Sequence, residues 1–136
     1  MDEFDIAVIG GGLAGTMAAL AAVAEGWSVA FIAPPPPGSD LRTTALMTES
    51  IDLLSRLGVW DEVRQESAAL STMRILDGTK RLFRAPPVSF HSSEIGLAAF
   101  GYNIPNAPLM KAATAQVEAT DGIARIPHPL VDAVED

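Results

Sequence analysis

A glycine-rich turn, Gly10-Gly11-Gly12-Leu13-Ala14-Gly15, constrains the fold of this chain more than any other feature. Gly10, Gly12 and Gly15 satisfy G-x-G-x-x-G. The apolar run Ile6-Ala7-Val8-Ile9 precedes the turn and a small-residue helical pattern follows it. That strand–turn–helix context is what a dinucleotide pyrophosphate cradle requires. Gly10 is expected to allow the tight exit from the strand. Gly12 lets backbone approach the pyrophosphate, and Gly15 lets the helix lie close against the strand. The N–H groups at the helix start, around Leu13 and Ala14, have no intrahelical acceptors, and the helix dipole favours an anion there.

The rest of the pattern extends this unit. A first strand is expected over Asp5–Ile9, a helix over Leu13–Glu25 ended by Gly26, and a second strand over Ser28–Ile32. Together they form a β-α-β unit with a right-handed crossover. Pro34 to Pro37 cannot continue a central strand and mark a stiff extended exit. No basic residue flanks them to suit an SH3-like module. The polar segment Gly38 to Thr44 is expected to enter a helix with Leu46, Ile51, Leu53, Leu54 and Leu57 on its apolar side and Gly58 at its end. A shorter helix is expected over Trp60–Glu66. Ser71–Leu76 and Arg81–Arg84 read as two strands joined at Asp77-Gly78. Further expectations are a strand over Ala98–Ile104, a helix over Ala107–Ala119, and a last strand over Ile123–Ile126 beside the second strand. The fold class is α/β, a Rossmann-like parallel sheet with helices. Residues 1–136 form a single domain, with an inserted β segment over residues 70–104.

Composition excludes several function classes. The chain has 136 residues, 49% of them hydrophobic, enough for one domain with a real core. Net charge is −8, and the nine basic residues show no stripe that would track a nucleic acid. With no cysteine, disulfides, thiolate metal sites and cysteine nucleophiles are absent. His91 and His128 lack metal-ligand spacing. The uncharged stretch Ile6 to Ala24 approaches the length of a membrane span, but its glycines suit a turn. Ala22-Val23-Ala24 resembles a signal cleavage site, yet the start Asp2-Glu3-Phe4-Asp5 is acidic where a signal needs positive charge. The expected location is cytoplasmic.

The same glycine motif serves FAD and NAD. An acidic residue at the end of the second strand normally binds the adenosine ribose, and here Ala33 stands there. Asp40 and Glu49 are candidate substitutes. Beyond the glycines, Asp40-Leu41-Arg42-Thr43-Thr44-Ala45-Leu46 leads into Leu54-Ser55-Arg56-Leu57-Gly58-Val59-Trp60. Later come Ser93-Glu94-Ile95-Gly96 and Phe100-Gly101-Tyr102-Asn103-Ile104-Pro105-Asn106, with Leu109 beyond. In that order the chain resembles the N-terminal part of the flavoprotein aromatic hydroxylases, above all the ubiquinone-biosynthesis branch related to p-hydroxybenzoate hydroxylase.

The resemblance implies FAD as cofactor, held by Gly10, Gly12, Leu13, Ala14, Gly15, Ala33 and Arg42. Arg42 would reach the pyrophosphate or ribityl region with its planar donor fork. It implies NAD(P)H as reductant, oxygen as oxidant, and hydroxylation of the phenol ring of a lipophilic ubiquinone precursor. It also implies peripheral contact with the inner membrane. Such enzymes are about three times this length. Their downstream G-D segment is missing, and Asp77-Gly78 and Asp121-Gly122 precede the place of the D-G segment. The chain is therefore expected to be partial, without catalysis of its own and with no side chain assigned a catalytic role. Its incomplete sheet would expose an edge open to self-association. An NAD(P)-dependent dehydrogenase domain and a non-catalytic dinucleotide-binding or interaction module remain alternatives.

Overall fold

The computed structural model describes residues 3–35, 38 and 40–127. His128, Pro36, Pro37 and Pro129 lie outside them. Strand β1 (Ile6–Ile9) runs into the glycine turn, helix α1 (Leu13–Ala24) follows, and strand β2 (Val29–Ile32) returns parallel to β1, with Ile6 opposite Val29 and Ile9 opposite Ile32. The expected last strand forms as β8 (Ile123–Ile126) and pairs with β2 in parallel, so β2 is central in the order β1-β2-β8. Val29, Ala30 and Phe31 are buried, as befits a central parallel strand.

Local chemistry closes this unit at two points. Gly26 adopts φ +93°, where a side chain is strained. Its N–H donates to Val23 O, and Trp27 N–H donates to Ala22 O, satisfying the last carbonyls of α1. At the open ends of the strands, Asp5 Oδ2 accepts from Ser28 N–H (2.8 Å) and from the Ser28 hydroxyl (2.6 Å).

The second sheet departs from the sequence expectation. Thr43–Met47 is a strand, β3, and not the start of a helix. It pairs antiparallel with β7 (Gly101–Pro105), whose other side carries the two-residue strand β4 (Ala68–Ala69). Leu46 therefore belongs to β3, and helix α2 begins only at Thr48, spanning Thr48–Arg56. The β-branched pair Thr43-Thr44 favours strand, and the long-range pairing with β7 overrides the apolar spacing that places Leu46 on a helix. Gly101 permits the pairing: a Cβ there would lie 2.1 Å from Leu46 O. Helix α3 (Trp60–Val63) passes into a 3₁₀ turn (Arg64–Glu66), which together fill the short helix expected there.

A separate two-stranded ribbon joins β5 (Thr72–Ile75) to β6 (Val88–His91). Arg81–Arg84 is not a strand, which corrects the hairpin expected around Asp77-Gly78. Asp77 instead accepts from Thr79 N–H (2.9 Å) and Ala85 N–H (3.1 Å), pinning a wide loop. Pro86-Pro87 delays the return strand until Val88.

Helix α4 (Asn106–Ala119) follows β7 directly. Its Leu109, Ala113 and Val117 share one core with Ala19 and Leu20 of α1, Val29 and Phe31 of β2, and Ile104 of β7. Trp60 meets Tyr102 edge to face at 4.8 Å, tying α3 to β7.

The Ser28 hydroxyl, then the Ser28 N–H, hold the Asp5 carboxyl below its ordinary value of 3.8. The clasp's contribution is thus fully present above that value and is lost as pH falls through the lower native one. Urea unfolding followed from neutral pH downward should show stability declining below the ordinary carboxylate range. Ser28→Ala should flatten part of that decline; superimposable profiles would refute the clasp.

Candidate functional site

The three motif glycines do different physical work. Gly10 has φ +112°, a left-handed conformation suited to the sharp exit from β1. A Cβ at Gly15 would lie 2.0 Å from Gly10 O and 3.7 Å from Val8 Cγ1, so the missing side chain sets the distance of α1 from β1. Gly12 is unlike either. Its φ of −72° and ψ of 173° suit any residue, and a Cβ there would meet nothing within 4 Å. Neither conformation nor packing within the chain demands glycine at position 12. What it leaves clear is space in front of the helix.

That space faces free donors. Gly12 is the N-cap of α1 and no side chain caps the helix. Among the described residues, the N–H groups of Leu13, Ala14 and Gly15 have no acceptor, and no carboxylate sits in the first turn. Such a terminus is built for an anion.

A cleft of about 380 Å³ opens there, lined by Gly11, Gly12 and Leu13, by Pro34 and Pro35 beyond β2, and by Asp40, Arg42, Thr44, Asn106, Leu109 and Met110. Its far wall is a hydrogen-bonded set from two distant segments. Arg42 Nε donates to Asp40 Oδ1 (2.9 Å) and Arg42 Nη2 to Asp40 Oδ2 (2.8 Å). Asn106 Nδ2 donates to Asp40 Oδ2 (2.9 Å), and the Thr44 hydroxyl donates to Asn106 Oδ1 (2.6 Å). The main chain seals the junction, with Asn106 N–H on Arg42 O at 2.9 Å.

This network orients Arg42. Its side chain is 83% exposed, and the Asp40 fork engages Nε and Nη2 only. Among the described residues Nη1 has no acceptor, which leaves one edge of the guanidinium for a second anion. The Arg42 side chain, followed by Asn106, drives the Asp40 carboxyl well below the ordinary carboxylate range, so the clamp is charged throughout neutral and mildly acidic pH.

The structure divides the expected site residues. Gly12, Leu13 and Arg42 line the cleft. Gly10 and Gly15 shape the turn behind it, and Ala14 is exposed on the first turn without lining it. Ala33 is buried, its methyl beside Gly11; a Cβ on Gly11 would be 2.7 Å from it. Asp40, a candidate for the missing ribose acid, lies in the cleft but has both oxygens engaged by Arg42 and Asn106. Glu49, the other, is on α2 and does not line the cleft. Sequence reasoning missed Thr44 and Asn106 as site residues, although both stood in the blocks that carried the family resemblance.

The residues fit the pyrophosphate part of a dinucleotide: Gly12 leaves a clear approach, α1 starts with free N–H donors, and Gly12, Leu13 and Arg42 line one cleft. Gly12→Val should leave folding nearly intact yet abolish quenching of FAD fluorescence on binding. Gly15→Val should instead destabilise the fold, because its side chain would collide with Gly10 O. Equal FAD affinity in Gly12→Val and the parent chain would refute the cradle.

Comparison with known proteins identifies the family. A family model described as FAD binding domain matches residues 3–124. FAD, the cofactor expected from the sequence, is the one for which that family is named. The chain is 31% identical over 135 residues to 3-demethoxyubiquinol 3-hydroxylase of Escherichia coli (strain K12), covering 93% of this chain and 34% of that enzyme. It is 34% identical over 85 residues to ubiquinone hydroxylase UbiL of Rhodospirillum rubrum, covering 58% of this chain and 20% of that one. The chain thus spans about a third or less of the length of these curated relatives. Among solved structures, p-nitrophenol 4-monooxygenase PnpA from Pseudomonas putida DLL-E4 superposes with a TM-score of 0.71 at 16% identity, over 96% of this chain and 33% of that one. A tryptophan halogenase from Shewanella frigidimarina NCIMB 400 superposes at 0.69 with 13% identity, over 96% and 37%. These two likenesses concern the fold alone.

Proposed function

The chain belongs to the FAD binding domain family, and from that premise we propose that it is the FAD-holding portion of an aromatic-ring monooxygenase. The observation that carries this reading is the convergence of Gly12, the uncapped start of α1 and the Asp40-oriented Arg42 on one cleft. Leu13 in the cleft wall, with Ala14 at the same uncapped helix start, would offer backbone N–H groups to the pyrophosphate, and Arg42 would offer its open edge. Gly10 and Gly15 would hold the turn in shape. Ala33 and the Pro34-Pro35 exit would form an apolar floor on the adenosine side, without the usual carboxylate for the ribose.

FAD, reduced by NAD(P)H, supplies the oxygen chemistry of such enzymes, while the protein contributes binding, orientation and exclusion of water. Asp40 acts within that division by fixing Arg42. Asn106 acts by fixing Asp40, and Thr44 by fixing Asn106. The relatives' names support an aromatic ubiquinone precursor as the substrate of the longer protein. The chain spans about a third of the length of the 3-demethoxyubiquinol 3-hydroxylase it matches, so the chain alone is proposed to bind without turnover. No helix among the described residues is long and apolar enough to cross a membrane, and none of their His, Asp and Glu side chains cluster for a metal ion.

Calorimetric titration with FAD and, in parallel, NADH tests the reading. Saturable binding of FAD with NADH at least tenfold weaker is expected, with no phenol hydroxylation when all components are mixed. Preference for NADH would overturn it in favour of a dehydrogenase domain, and binding of neither would leave the cleft without the proposed role.

A further inference from the structure

The loop between β5 and β6 concentrates cations and exposed apolar side chains in a chain that is otherwise acidic. Lys80, Arg81 and Arg84 flank Leu82 and Phe83, which are 92% and 88% exposed. Arg74 adds a fourth cation on β5. The chain carries nine Lys and Arg residues against seventeen Asp and Glu, yet four of the nine fall between positions 74 and 84, and Asp77 is the sole acid from 72 to 93. Its carboxylate is committed to the loop itself, closing the neck through Thr79 N–H and Ala85 N–H. Lys80–Arg84 is therefore the tip of a pinned loop.

The ribbon behind the tip is two-faced. Cross-strand register pairs Met73 with Phe90 and Ile75 with Val88, so these four share one face, while Arg74 and Ser89 share the other. All four apolar residues are exposed. The tip sets Leu82 and Phe83 among Lys80, Arg81 and Arg84, and the ribbon face behind it is apolar.

We propose that this loop docks on an anionic lipid bilayer, with Leu82 and Phe83 entering the interface and Lys80, Arg81 and Arg84 on the headgroups. Charge complementarity favours lipid. An anionic surface attracts the cationic tip while repelling the acidic remainder, which orients the chain tip-down. Shallow insertion of two apolar side chains adds a term that salt does not screen. No spanning segment is needed. The proposal stands apart from the dinucleotide reading, since none of these loop residues lines the cleft.

Flotation of the full chain with vesicles tests it. Mixed phosphatidylcholine–phosphatidylglycerol vesicles should carry the chain at least tenfold better than pure phosphatidylcholine, with binding falling as salt rises. Each cation near the surface contributes about fivefold, so Lys80→Gln with Arg81→Gln should weaken binding about 25-fold. Leu82→Ser with Phe83→Ser should remove the part that persists at high salt. These positions are solvent-exposed, and circular dichroism should confirm unchanged folding. Equal flotation of parent and variants, or none with either vesicle, would overturn the proposal. So would a concentration-dependent dimer, abolished by Leu82→Ser with Phe83→Ser, in a chain that ignores vesicles; that result would assign the tip to a second copy.

Discussion

The close approach of α1 to β1 at Gly15 is the constraint on which the site depends. Any side chain at that position would drive into the Gly10 carbonyl, 2.0 Å from where its Cβ would sit. With hydrogen there, the start of α1 lies directly over the end of β1. The helix can then point its uncapped N–H groups into the space that Gly12 leaves clear. The parallel return of β2 places Pro34 and Pro35 along one side of that space. One missing methyl group thus links a local backbone turn to an anion-binding geometry.

A second, longer-range constraint completes the cleft. Antiparallel pairing of β3 with β7 brings Thr44 opposite Ile104 and sets the start of α4 beside Arg42. Only then can Asn106 reach Asp40 and Thr44 across more than sixty residues of sequence. The fork from Arg42 to Asp40 is solvent-accessible, and as a surface ion pair it contributes little to stability. Its consequence is geometric: a flexible side chain that lines the same cleft as the glycine turn is held by two of its three guanidinium nitrogens, with Nη1 left open. Buried Ile104 and Leu109 flank Asn106 in sequence and anchor this wall to the core shared with α1.

Much of this was legible in the residues. The first β-α-β unit, the place of Gly26 and the parallel addition of Ile123–Ile126 all follow from local apolar runs and glycine punctuation. The resemblance carried by Asp40 to Leu46 and by Phe100 to Asn106 identified the family. Thr43–Met47 was misread because five residues of strand lie against a helix with a strong apolar face, and only the partner strand β7 decides the boundary. Arg81–Arg84 was misread because Asp77-Gly78 suggests a tight turn, whereas Asp77 reaches Ala85, eight residues on. The Thr44–Asn106–Asp40 network left no signal of its own, since side-chain pairing over such separations is visible only once the sheet is formed. The cation cluster was hidden by an overall charge of −8, which averages a basic loop into an acidic chain.

Two segments distant in sequence are proposed to clasp one pyrophosphate. Backbone amide resonances followed by NMR during titration with FAD test it directly. Saturable shifts with one affinity are expected at Gly11, Gly12, Leu13 and Ala14 and also at Arg42, Thr44 and Asn106. Shifts confined to one of these segments, or centred away from both, would contradict it.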